Sequence, residues 1–277
     1  MKPVLVIPTY SRPDGLAIER CKNLPFIRCL AIRKEQLSLY DKWSDYYQFI
    51  LLKNVEDIGE TRAKIVKWAN YQGYDWMFMF DDDIRKVETL VKTKDGNYNS
   101  KRILEGAQTS PRFEIKALRN WFETAKEYNL SMSSPNHRAY DRSYHGTLRI
   151  NNTAVIQCLL LHIPDIVSVG NFLSLRKYGN EDYLLQYKLM KAGYLCGKVG
   201  TVEYDVNDVG SGEGGCNAVE NPDIIKRYES YIKAFQQNID NTSLMKTKLT
   251  KQGIPSLQFN WKEWGNIVEQ QTINIGE

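Results

Sequence analysis

Between Trp76 and Phe80 the chain places five large apolar residues in a row and then breaks at once into Asp81, Asp82 and Asp83. A run like this, with no polar alternation, reads as a strand buried on both faces, as in a parallel sheet covered by helices on each side. Three acids at its carboxyl end fall at the sheet edge where strand ends and helix N-termini converge on ligands. That junction narrows the fold to an open α/β sheet.

The flanking residues agree. Val4 to Ile7, Cys29 to Ile32 and Phe49 to Leu52 are short apolar runs, and Asp57 to Tyr71 carries Ile58, Ile65, Trp68 and Ala69 at helical spacing, with Asp57 as N-cap and Gly73 as stop. Lys92 to Lys101 reads as a surface loop, Ile115 to Tyr128 as a helix, Ala154 to Ile163 as a buried strand, and Asp182 to Ala192 as a helix closed by Gly193. Glycines between Gly210 and Gly215 make a loop or a lid, a helical segment runs from Pro222 to about Gln237, and Trp261 and Trp264 predict a tail that packs onto the body.

The 277 residues, 42% of them apolar, suffice for a large core. The expected division is a domain over 1–220, with a nucleotide half to about 110 and an acceptor half from about 111, followed by a helical packing extension over 221–277. Five cysteines without CxxC spacing predict reduced thiols. With no signal-peptide core and no apolar stretch near the roughly 18–20 residues that span a bilayer, the expectation is a cytoplasmic protein without a membrane anchor. A net charge of +4 permits a polyanionic partner without requiring one, and nothing points to an obligate protein partner.

In an extended backbone Asp81 and Asp83 share one side while Asp82 points away. Two converging carboxylates repel each other unless a cation neutralises them, and oxygen ligands suit Mg²⁺ or Mn²⁺ bridging to a diphosphate. The alternative is a solvated turn or a helix N-cap. Arg62, on the flank of its helix, meets either a ligand anion or Glu60 or Asp57. Glu181 and Asp182 precede the apolar pattern of Leu184 to Met190 and at minimum cap that helix. From His137 to Arg149 cations alternate with aromatics, a composition suited to phosphates and flat rings, and Arg85, Lys86, Lys92, Lys94, Lys101 and Arg102 add positive charge; either set also fits an ordinary solvated face.

Four segments in order, the Val4–Pro13 strand and turn, Gly59–Ala63, Asp81–Asp83 and Glu181–Asp182, resemble the GT-A, family-2-like glycosyltransferases. The resemblance spans residues 3 to about 193. It implies a Rossmann-like α/β fold with a mostly parallel sheet flanked by helices, a nucleotide-sugar donor, UDP-linked above all, and a hydroxyl acceptor. Residue by residue it implies Pro8, Thr9 and Tyr10 at the base, with Arg12, Arg62, Asp81 and Asp82 also around the donor, Asp81 and Asp83 on the metal, and Asp182, paired with Glu181, as catalytic base. The family's late histidine ligand is missing here, since His137, His145 and His162 all precede Asp182; Asp205, Asn207, Asp208 or water could take its place. Arg138, Tyr140, Arg142, Tyr144, His145 and Arg176 form the expected acceptor face. A narrower likeness is to the phage-type, TET-associated enzymes that glycosylate hydroxymethylated pyrimidines such as 5-hydroxymethylcytosine in double-stranded DNA, which would place the protein in a host cytoplasm. Polysaccharide or protein glycosylation, a nucleotidyltransferase, and a non-catalytic sugar- or nucleic-acid-binding module are the other readings.

Overall fold

The computed structural model describes residues 3–100, 113–172, 181–206, 232–249 and 255–276. The first half runs β1 (Val4–Pro8), α1 (Leu16–Cys21), β2 (Arg28–Arg33), β3 (Gln48–Leu52), α2 (Ile58–Tyr71), β4 (Trp76–Phe80), β5 (Ile84–Lys92) and β6 (Tyr98–Ser100). There follow α3 (Ile115–Glu127), β7 (Leu130–His137), β8 (Thr147–Ile150), β9 (Cys158–His162), α4 (Ile163–Ser168), α5 (Glu181–Lys191) and β10 (Leu195–Val206). The C-terminal part holds β11 (Met245–Leu249), β12 (Pro255–Phe259), α6 (Trp261–Trp264) and β13 (Gln271–Asn274).

The main sheet has the order β3-β2-β1-β4-β9-β7-β10-β8-β13, with the β5–β6 hairpin attached to β10. Along this path β1, β2, β3, β4, β7, β10 and β13 run in one direction and only β8 and β9 oppose them. The expected mostly parallel α/β sheet is present, and its common carboxyl edge collects the ends of β1, β2, β4, β7 and β10.

Because side chains alternate across a strand, the uninterrupted apolar runs feed two cores at once. Val4, Val6, Met77 and Met79 pack with Ile65 and Val66 of α2 and with Leu184 and Leu185 of α5 on one face. Leu5, Ile7, Phe78 and Phe80 pack with Ile18 of α1 and Leu118 and Trp121 of α3 on the other. Trp121 lies 5.1 Å from Phe78 and donates its indole N–H to Ser133 Oγ at 2.9 Å. Helix α2 begins where the sequence places it: the Asp57 carboxylate accepts from Glu60 N at 2.8 Å, and Gly73 leaves the helix with φ 76°.

Several expectations need correction. The apolar stretch from Ala154 is a strand only over Cys158–His162; Gln157 takes φ 64° ahead of it, and Pro164 near the start of α4 turns the chain into a helix. Residues 92–100 of the expected 92–101 loop are not one loop, since β6 folds back on β5 through a turn at Gly96 (φ 83°). The described tail holds more strand than helix: residues 232–236 and α6 are helical, but β11 and β12 form a hairpin, and β13 adds to the main sheet beside β8. It does pack on the body, with Trp264 fully buried. Cys21, Cys29, Cys158 and Cys196 are free and buried, and among the described residues no helix is long and apolar enough to cross a membrane. Gly210 to Gly215, most of 222–237 and Cys216 lie outside the described residues.

Candidate functional site

Strand β4 ends at Phe80, and the three aspartates form a turn closed by Ile84 N donating to the Asp81 carbonyl at 3.2 Å. The extended-backbone argument for pairing Asp81 with Asp83 therefore does not hold, because the alternation of a strand stops before the acids. The turn still gives each carboxylate its own direction.

Asp82 faces the loop after β1. Its buried carboxylate accepts from Thr9 Oγ1 at 2.7 Å and from Arg12 Nη1 at 3.1 Å, and its carbonyl accepts from Ala17 N at 3.2 Å. Tyr40 braces the same loop, its hydroxyl 3.1 Å from Thr9 Oγ1 and accepting from Arg12 N at 3.1 Å. Gly15 makes a close approach here: a Cβ would stand 3.0 Å from the Asp82 carbonyl oxygen, so a larger residue would push on the acidic turn. Thr9, Arg12 and Asp82, expected around the donor, are thus the brace that holds the β1 loop to the acidic turn. Pro8 is buried at the end of β1, whereas Tyr10 stays exposed with the Arg33 guanidinium 4.2 Å above its ring.

Asp81 faces α2. Arg62, buried one turn into that helix, donates from Nη2 to Asp81 Oδ1 at 2.6 Å and from Nη1 to Glu181, and Asp182 Oδ2 lies 3.9 Å away. The expected alternatives of Glu60 or Asp57 are not its partners: a fork of donors reaches two carboxylates on two different elements. Those acids hold the guanidinium firmly protonated.

Glu181 and Asp182 open α5, and both are buried. Burial, then the neighbouring Glu181, pushes the Asp182 carboxyl up to about 7. Burial, then Asp81 and Asp82, does the same to Asp83, also to about 7. Around the turn, among the described residues, five carboxyl groups (Asp81, Asp82, Asp83, Glu181 and Asp182) meet two guanidiniums, Arg12 and Arg62. Asp83 has no hydrogen-bonded or ion-paired side-chain partner among the described residues, and no three His, Cys, Asp or Glu side chains form a ready metal cage there. Oxygen donors in charge excess fit Mg²⁺ or Mn²⁺, which take one or two carboxylates and leave the other positions to water and phosphate.

Asp205, at the end of β10, pairs with Arg138 at 3.8 Å and sits one register position from Ile84, the residue that follows the acidic turn. Asn207, Asp208 and Arg176 lie outside the described residues.

The basic segment divides. Arg149 is buried, donating to Asp141 Oδ1 at 2.6 Å, and Lys198 meets the same carboxylate at 2.7 Å. The Asp141 backbone amide in turn closes a turn on His137, whose ring lies tilted against Tyr140 with centroids 4.6 Å apart. Lys86, expected either to add exposed positive charge near the site or to lie on a solvated face, is buried and donates to Glu88 at 2.6 Å; Lys101 and Arg102 lie outside the described residues. Tyr140 and Arg142 are exposed, Tyr144 carries the Arg149 guanidinium 4.0 Å over its ring, and His145 is nearly buried. Tyr40, Arg33 and Glu203 escaped the sequence reading. For Arg33 the signal was available, as it ends a strand of the parallel set.

No family model matches the sequence, and no curated protein matches it. Among solved structures the chain is similar to residues 1–349 of S. aureus TarS in complex with UDP-GlcNAc, with TM-score 0.56, 13% identity, and coverage of 87% of this chain and 67% of that one. Against the same TarS segment in complex with UDP the TM-score is 0.50 at 11% identity, covering 87% and 66%. The chain spans about two thirds of the length of these TarS segments. At such identities the likeness shows the fold, and the fold is GT-A glycosyltransferase-like.

Proposed function

We propose that this protein is a glycosyltransferase that moves a sugar from a UDP-linked donor to an acceptor hydroxyl, with Mg²⁺ or Mn²⁺ as cofactor. The observation that carries the reading is the excess, among the described residues, of carboxylates over cations at the carboxyl edge of β4, where ligands of open α/β sheets bind. Asp83, with Asp81, would hold the ion, whose chemistry there is to offset the charge of a departing diphosphate. Tyr10 with Arg33 above it offers the nucleobase a flat, cationic platform. The UDP-GlcNAc held by TarS supports the donor class.

Asp182 is the base. Its carboxyl, raised to about 7, is partly ionised at neutral pH and basic enough to take a hydroxyl proton, the balance general-base catalysis requires. Glu181 holds Arg62, and Arg62 fixes the acidic turn against α5, so both are positioning residues. The narrower acceptor proposal is a hydroxymethylated pyrimidine in DNA, supported by exposed Tyr140 and Arg142 beside Arg138, and weakened by the enclosure of Lys86 and Arg149 in internal ion pairs.

The test is nucleotide release from a panel of nucleotide sugars with Mn²⁺, against acceptors including a duplex with 5-hydroxymethylcytosine, a glycan and a protein. The proposal expects acceptor-stimulated UDP release that Asp182→Asn suppresses while nucleotide binding stays intact. Equal release by wild type and Asp182→Asn removes the assigned base, and no release with any donor removes the transferase reading.

A further inference from the structure

A cavity of about 660 Å³ lies between the β5–β6 hairpin and the turn that follows β7, with Asn97, Asn99, Arg138, Arg142, His145 and Glu203 among its walls. It is separate from the Arg62 cluster, yet Arg138 reaches Asp205 at the end of β10, beside the strand that leaves the acidic turn.

Its polar groups are of two kinds. Arg142 is tethered by Nε, which donates to the Arg138 carbonyl at 3.2 Å, so its terminal nitrogens are held at the wall without a partner among the described residues. With Arg138 it makes a pair of guanidiniums suited to a phosphate. Deeper in, His145 Nε2 is shielded from solvent with no hydrogen bond. It stands 3.9 Å from the Glu203 carboxylate, which also faces Lys86 at 3.7 Å and the charge of Arg138. Neither separation is a hydrogen bond. A buried polar atom left unsatisfied costs free energy, and a ligand hydroxyl that parts these two side chains to enter between them would donate to Glu203 and accept from an Nε2–H of His145.

We propose that this cavity is the acceptor's phosphate-ester subsite, in which Arg138 and Arg142 take the phosphate and the His145–Glu203 pair takes a neighbouring hydroxyl. The word acceptor rests on the transferase reading above; phosphate-ester binding does not. A carboxylate in the wall disfavours a bare anion placed next to it, so a phosphate ester bearing a hydroxyl binds better than inorganic phosphate. The phosphate ester could be that of a small sugar phosphate or of the DNA backbone.

Calorimetric titration without donor tests this, using inorganic phosphate, 2-deoxyribose 5-phosphate and a duplex containing 5-hydroxymethylcytosine, at fixed low salt. The expected order places one of the two esters above inorganic phosphate, and the preferred ester identifies the source. Arg142→Gln, which changes an exposed side chain, should weaken that ester by about tenfold, and Arg138→Gln with Arg142→Gln by more. His145→Leu should erase the preference over inorganic phosphate. Arg20→Gln, an exposed cation elsewhere, should change nothing. No ester binding, or equal losses in Arg20→Gln and Arg142→Gln, overturns the proposal. Ester binding in a protein that fails to bind UDP with Mn²⁺ retains the subsite and removes the transferase reading.

Discussion

At the scale of single residues, the site rests on one guanidinium. Arg62 is buried and shared by Asp81 and Glu181, so Arg62→Ala leaves the buried Glu181 and the half-buried Asp81 without their counter-charge. Loss of one partner from a buried pair costs about 3–5 kcal/mol, and urea unfolding of Arg62→Ala at neutral pH should read a loss of that order. Arg62→Lys should not restore it, since a point charge cannot serve two carboxylates in fork geometry. Asp182 makes a prediction in pH. A base acts when deprotonated, and with its carboxyl at about 7, kcat/KM should fall about tenfold per pH unit below that value and level off above it. A flat profile from pH 5 to 8 contradicts the assignment. The aspartate run and the Glu181–Asp182 pair were legible because an apolar strand and a helix frame them. The partners of Arg62 were not, because Glu181 lies 119 residues away and no local spacing reports that contact.

Among the elements, the uninterrupted apolar strands and the capped α2 could be read from the sequence, and β7 and β10 could not. Strand β7 buries Ser131, Ser133, Ser134 and Asn136, and β10 contains Gly197, Lys198, Gly200 and Glu203, so neither shows a hydrophobic period. Lys198 can be buried in β10 only because Asp141, from a distant turn, meets it. The β5–β6 hairpin was masked by its polar composition. It is locked by Tyr98, whose hydroxyl donates to the Gly276 carbonyl at 2.7 Å, and whose ring occupies the place a Cβ at Gly146 would take. Gly146 also has φ 77°. Gly146→Ala therefore combines a strained backbone with displacement of Tyr98, and should cost more than about 1 kcal/mol by denaturant unfolding, with faster amide exchange over residues 96–99. An unchanged midpoint would show that the hairpin is not held there.

Over the whole molecule, the described C-terminal segment is part of the fold that carries the site. Trp264 is fully buried, lies 5.5 Å from Tyr187 of α5, and shares a core with Leu184 and Leu185. Because α5 presents Glu181 and Asp182, Trp264→Ala should lower global stability by about 3–5 kcal/mol rather than loosen a tail, and a single unfolding transition should persist. The two tryptophans predicted packing; that β13 would join the main sheet was hidden, since a four-residue edge strand carries too little pattern. The central claim, that the acidic turn is a metal-supported donor site, is tested most directly by the thermal midpoint with UDP and UDP-sugars, with and without Mn²⁺, in wild type and Asp83→Ala. Ligand binding to the native state raises the midpoint by mass action. The account predicts a rise with UDP that requires Mn²⁺ and disappears in Asp83→Ala; a rise without metal, or one that survives in Asp83→Ala, contradicts it.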